Sequence, residues 1–76
     1  LIPIEIAPNP IIHQLNILID DYTKIQRVRI YSITGNLVMD QLGHKLQFDV
    51  SSFTSGLFVV HMETDAGTVI QKVHKF

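Results

Sequence analysis

The chain contains no cysteine and no tryptophan. Without cysteine there is no disulfide to staple a small fold and no thiolate to hold a metal, so packing alone must carry stability. The absence leaves the compartment open, because exported bacterial proteins often lack cysteine as well. Charge is scarce: only 17% of residues are charged, six basic against seven acidic, for a formal net charge of −1. Such a balance makes no strong field, which argues against a nucleic-acid partner or an anionic membrane surface. No apolar run approaches the ~20 residues of a membrane-spanning helix. The first residues are not basic-then-apolar, so they are not an export signal peptide. An exported protein would carry that signal on a longer precursor, of which this chain would be a fragment. Aromatics reach only 8%, a poor basis for a sugar-binding platform.

What is present is 46% hydrophobic residues in 76 positions, too apolar for intrinsic disorder. That length suits one domain, residues 1–76, with a marginal core that buries only ~60% of the unfolded surface. The apolar residues alternate in short blocks. Ile2, Ile4 and Ile6 share one face of a run from Leu1 to Ala7, which Pro8-Asn9-Pro10 then stops, since proline lacks an amide hydrogen and restricts the residue before it. His13 to Ile19 sets Leu15, Ile17 and Ile19 on one side, and Asp20-Asp21 reads as a turn. Ile25 to Ile33 alternates Val28 and Ile30 against Arg27, Arg29 and Tyr31, ahead of a Thr34-Gly35-Asn36 turn. Leu37 to Leu42 leads to Gly43-His44. Lys45 to Val50 carries Leu46, Phe48 and Val50 on one face, and Ser51 to Gly56 is a loop. Leu57 to Met62 and Thr68 to Lys75 form a final hairpin across Asp65-Ala66-Gly67. Leu57-Phe58-Val59-Val60 is apolar on both faces, as a central strand would be, with Phe58, Val60 and Met62 facing the core. No window holds a 3.6-residue period, so the pattern predicts an all-β antiparallel sandwich of about seven strands.

Residues that could carry chemistry do not assemble into a motif. His13, His44, His61 and His74 have no partner at metal-ligand spacing, and the acids form no calcium loop. Ser51, Ser52 and Ser55 lie in no nucleophile elbow. Arg27 and Arg29 read as a solvated strand face. The pattern therefore points to no enzyme, no cofactor and no metal. Pro8-Asn9-Pro10 reads as a rigid turn guarding a sheet edge. Lys72 and Lys75 read as solvated edge lysines, three apart and so on opposite faces of an extended strand. An uncovered Thr68 to Lys75 edge would also allow weak self-association.

Four segments in order resemble a known family. Pro8-Asn9-Pro10 with Leu15-Asn16-Ile17 resembles its "PNP … L-x-I" opening. Val28-Arg29-Ile30-Tyr31-Ser32-Ile33-Thr34-Gly35-Asn36-Leu37-Val38 resembles its "V-x-I-Y-D-x-x-G-x-L-V" centre. Asp49-Val50-Ser51 with Ser55-Gly56-Leu57-Phe58-Val59-Val60 resembles "D-V-S … S-G-x-Y-x-V". Gly67-Thr68-Val69 with Lys72-Val73-His74-Lys75 resembles the "G-x-x … K-x-x-K" ending. The family is the C-terminal sorting domain of type IX secretion cargo from Gram-negative bacteria of the Bacteroidetes group. Here Phe58 stands for the usual tyrosine, Ser32 for a frequent aspartate, and Phe76 follows the last lysine.

The resemblance implies an immunoglobulin-like sandwich at the end of a larger exported precursor. It implies passage from the periplasm through the outer-membrane type IX translocon, covalent fusion to a cargo domain, and removal by a surface sortase-like peptidase. By family analogy Gly35, Gly56, Phe58, Gly67, Lys72 and Lys75 are the recognition residues. The rival expectation is an accessory immunoglobulin-like binding module of an extracellular enzyme.

Overall fold

Each alternating run becomes a strand: β1 Ile4–Ala7, β2 Gln14–Ile19, β3 Ile25–Ser32, β4 Leu37–Leu42, β5 Gln47–Asp49, β6 Gly56–Thr64 and β7 Gly67–Lys75. The structure, a computed structural model, describes residues 2–76, so Leu1 lies outside the described residues. The first strand starts later than the apolar pattern suggests because Pro3, with no N–H to donate, precedes it. The fifth is shorter than Lys45 to Val50, although Leu46 O still accepts from Ile17 N at 2.8 Å. The last hairpin is longer, because pairing continues to Thr64 opposite Gly67, leaving Asp65 and Ala66 as its loop. Thr64 holds that loop: its Oγ1 accepts from Ala66 N at 3.1 Å and donates to Gly67 O at 2.6 Å.

The strands form two antiparallel sheets, β1-β2-β5 and β4-β3-β6-β7. This three-on-four arrangement is the predicted all-β, immunoglobulin-like sandwich. Alternation sends one side chain in two into the space between the sheets. Leu15 and Ile17 from β2, Val28 and Ile30 from β3, Phe48 from β5, and Phe58, Val60 and Met62 from β6 are all buried there. Each such side chain contributes ~1.5–3 kcal/mol relative to exposure. The β3–β4 pair carries a bulge between Ile30 and Tyr31, where Val38 is the unmatched residue.

The register defines two ends. The loops 20–24 and 65–66 lie at one end, tied by Lys24 N to Asp65 Oδ1 (3.0 Å) and Asp65 N to Lys24 O (3.0 Å). Ile2 lies at that end too, beside Gly67. The β3–β4 turn, the 51–55 loop, the Pro8–Pro10 turn and Phe76 lie at the other.

The final strand is not bare along its length, contrary to the sequence expectation. Residues Asn9 to Ile11 cross over its last turn of pleat as a strap. His74 N donates to Asn9 Oδ1 (3.2 Å), Ile11 N to His74 O (2.8 Å) and Phe76 N to Ile11 O (2.9 Å), a short parallel bridge centred on Ile11 and Lys75. The edge-guarding role read from Pro8-Asn9-Pro10 is thus exercised on β7, and Ile11, the last residue of the strap, has its side chain buried.

Candidate functional site

The six residues singled out by family analogy occupy three kinds of position. Gly35 lies in the β3–β4 turn with φ +95°, its N–H donating to Ser32 O at 2.9 Å. Gly56 opens β6 with φ +141° and stands opposite Lys75. Gly67 opens β7 at the far end, opposite Thr64. Phe58 is a core residue, its ring 5.2 Å from that of Phe53. The two lysines separate as a two-residue period requires. Lys72 is exposed on the outer face opposite Val59, whereas Lys75 turns inward and is only 5% exposed, its Nζ donating to Phe76 O at 2.7 Å. The expectation of solvated edge lysines therefore holds for Lys72 and fails for Lys75, because an inward-facing position under the strap leaves that side chain no water. Gly35, Gly56 and Lys75 gather at one end and Gly67 lies at the other, so the six do not form one site.

The outer face of the four-stranded sheet is where exposed apolar groups collect. Its cross-strand rows read Leu42–Arg27–Glu63–Thr68, Asp40–Arg29–His61–Ile70 and Leu37–Tyr31–Val59–Lys72. Arg27 holds Asp40 through two bonds, Nε to Oδ1 at 2.8 Å and Nη2 to Oδ2 at 2.6 Å, and Arg29 Nη2 holds Glu63 Oε2 at 2.7 Å. The Arg27 guanidinium keeps the Asp40 carboxyl below its usual range. Tyr31 and His61 pack with ring centroids 4.8 Å apart and planes tilted by 58° and, with Ser32, Ile33, Gly35 and Val59, line a shallow groove of about 350 Å³. Leu57 and Ile70 remain 46% and 58% exposed beside it. The central position read from the sequence holds, since β6 lies between β3 and β7 with Phe58, Val60 and Met62 in the core; Leu57 and Val59 lie on its outer face, which is left partly open. Their placement at odd positions of β6 was the available signal.

The edge of β7 is the second feature. His74 turns its N–H and C=O away from β6, toward the strap. In an antiparallel ladder this orientation alternates, so Thr68, Ile70 and Lys72 also point their backbone groups outward. No loop or turn backbone bond among the described residues reaches these three. On the inward side of the same strand, Gln71 Oε1 is buried without a hydrogen-bond partner.

Elsewhere, a groove of about 550 Å³ on the other sheet is lined by His13, Gln14, Gln47, Phe48, Asp49 and Ser51. Ser51 Oγ donates to Asp49 Oδ1 at 2.6 Å, and this bond, with the Ser51 N–H, holds the Asp49 carboxyl below its usual range. The carboxylate that binds the serine hydroxyl is thereby a weaker base than an ordinary aspartate. His44 Nδ1 accepts from Ile25 N at 2.9 Å, a structural bond. Among the described residues no three of His, Asp and Glu come together as metal ligands.

No curated protein sequence matches the chain. A family model described as "Secretion system C-terminal sorting domain" matches residues 5–75, from the second residue of β1 to the end of β7. A match of that extent covers both sheets, the strap and the final hairpin, and the chain belongs to the C-terminal sorting domain family of type IX secretion, whose members mark a fused cargo for export to the cell surface or the medium.

Proposed function

We propose that this domain is a folded, non-catalytic address, read by the type IX machinery through the open edge of β7. The carrying observation is the backbone of Thr68, Ile70 and the exposed Lys72, unpaired among the described residues. Strand addition at such an edge gives affinity through main-chain bonds and leaves specificity to side chains. The cargo precedes residue 1 and joins at the end of the sandwich that holds Ile2 and Gly67, away from the strap. The precursor crosses the periplasm and then the outer-membrane translocon, and a surface sortase-like peptidase removes the domain. The same edge would pair weakly with a second copy; sedimentation showing monomer across a wide concentration range would refute that.

The accessory-module reading gains no observation. The exposed rings of Tyr22 and Phe76 lie at opposite ends of the sandwich and form no common platform.

The test fuses residues 1–76 behind a fluorescent reporter with an ordinary export signal, in hosts with and without a working type IX translocon. Reporter at the surface or in the medium only when the translocon works is the expected result. Reporter trapped in the periplasm of both hosts would overturn the reading.

A further inference from the structure

We propose that the segment added at the Thr68–Lys72 edge sets an apolar side chain against Ile70 and, two residues away, a carboxylate against Lys72. This inference rests on the strand-addition reading above and names what the partner must look like.

Three observations carry it. The first is the length of the opening. The strap takes the backbone of His74 and closes one end, and the hairpin loop closes the other, so only three residues offer outward N–H and C=O groups. A strand laid there is fixed in register by the strap. Its outer-face side chains then fall directly beside Thr68, Ile70 and Lys72, about 4.5–5.5 Å away between Cβ atoms.

The second is charge. Both acids of the outer face, Asp40 and Glu63, are held by Arg27 and Arg29. Among the described residues Lys72 enters no ion pair. Its register neighbour is Val59, and Ile70 and His74 flank it on the same face. The strand thus presents an apolar group and an unneutralised cation two residues apart, which an apolar-x-acidic segment complements.

The third lies on the inward side. Gln71 Oε1 is buried with no donor, and burying an acceptor unmet is unfavourable. Gln71 sits between Ile70 and Lys72, where the partner residue between its apolar and acidic positions would also turn inward. Turning the Gln71 carboxamide toward the edge would bring that oxygen to a hydroxyl or amide there.

Other occupants fit less well. A second copy paired antiparallel about Ile70 sets Thr68 opposite Lys72 and supplies no carboxylate. An anionic lipid surface gains only about 1 kcal/mol per lysine, and this face has one free lysine.

The experiment uses the reporter fusion in the host with a working translocon. Ile70→Pro removes an outward N–H without breaking the ladder to β6, and Lys72→Glu reverses the charge; Lys24→Glu, in the loop at the other end, is the control. Unchanged circular dichroism and thermal unfolding establish that each variant folds. Export should fall at least tenfold, equivalent to about 1.4 kcal/mol, for Ile70→Pro and Lys72→Glu, and stay unchanged for Lys24→Glu. A photo-crosslinking residue at position 70 should capture a translocon or peptidase segment bearing Asp or Glu two residues from an apolar residue. The same residue at Gln41, on the opposite edge of the sheet, should capture none. Normal export of folded Lys72→Glu, or crosslinks from position 41 alone, would overturn the inference and leave the sorting function standing. Loss with Lys72→Glu but not Ile70→Pro would indicate a charge-only contact, such as a lipid surface, and overturn it too. Failure of the unaltered fusion to leave the periplasm would remove the sorting reading and this inference together.

Discussion

The side chain of Asn9 accepts a hydrogen bond from the backbone N–H of His74, 65 residues further along the chain, at 3.2 Å. It joins the first turn of the domain to its last strand. Removing the acceptor in Asn9→Ala leaves the His74 amide to water and loosens the strap, at a cost of about 1 kcal/mol for one net bond. In a domain this small that is a fall of roughly 4–8 °C in Tm. Amide exchange at His74 should accelerate while exchange at Val60, in the middle of β6, changes only with global stability. Unchanged exchange at His74 would show that the asparagine does not hold the strap.

Gly35 is a backbone requirement before it is anything else. Its φ of +95° suits a residue without a side chain, and a Cβ added there would meet nothing within 4 Å. Gly35→Ala should therefore destabilise by about 1–2 kcal/mol through backbone strain alone. Urea unfolding should show a lower midpoint with the same slope. A variant as stable as the parent would mean the turn relaxes, and any export defect it retained would then belong to recognition.

Neighbouring residues of β6 should respond in opposite ways. Phe58 fills the core against Phe53, and Phe58→Ala should cost about 3–5 kcal/mol, enough to unfold much of a marginal domain. Leu57 faces water, and Leu57→Thr keeps β propensity and should stay within about 0.5 kcal/mol. Equal sensitivity at both positions would contradict the register of the β6–β7 pair.

The alternation of Val28 and Ile30, or of Phe58, Val60 and Met62, was enough to predict strands, faces and sandwich, because a period of two is local information. What stayed hidden was long-range. Nothing near Pro8-Asn9-Pro10 says which edge it guards; that depends on Asn9 meeting His74 across the whole chain. Lys75 looked like an edge lysine because sequence fixes only that it opposes Lys72, not which of the two turns inward. Leu57 and Val59 showed that both faces of β6 are apolar but not that one of them is open. The recognition residues suggested by family analogy were legible as positions, while their sorting into turn, core and surface required the register.

Three carboxylates make the domain acid-sensitive. Asp20 accepts from the N–H of Thr23 at 2.7 Å and of Tyr22 at 3.0 Å, Asp40 is held by Arg27, and Asp49 by Ser51, and all three pKa values lie below the usual one. The folded state thus gives up these protons more readily than the unfolded chain, whose aspartates titrate near ~3.9. The contribution is complete above that value and is lost as pH falls through the lower, folded values. Loss of this contribution should make Tm fall as pH drops below about 4. Asp40→Asn should flatten part of that fall, and a variant with the parent's full acid slope would remove Asp40 from the account.

Lys75 is inward-facing, and among the described residues its ammonium donates to one oxygen, the main-chain O of Phe76. An ammonium has three donors to satisfy, and a single hydrogen-bond partner leaves two of them unmet in a buried position. Its methylene stem does the packing opposite Gly56. Lys75→Met keeps the length and apolar volume of that stem and removes the charge, so it should leave stability unchanged or raise it, whereas Lys75→Ala should lower it by emptying the space. Chemical denaturation of the three proteins side by side decides the matter. If Lys75→Met is the less stable of the two variants, the ammonium contributes to the fold through its bond to Phe76. If Lys75→Met is as stable as the parent, the fold needs only the stem, and a reason for the charge must be sought in a state where the strap has left β7.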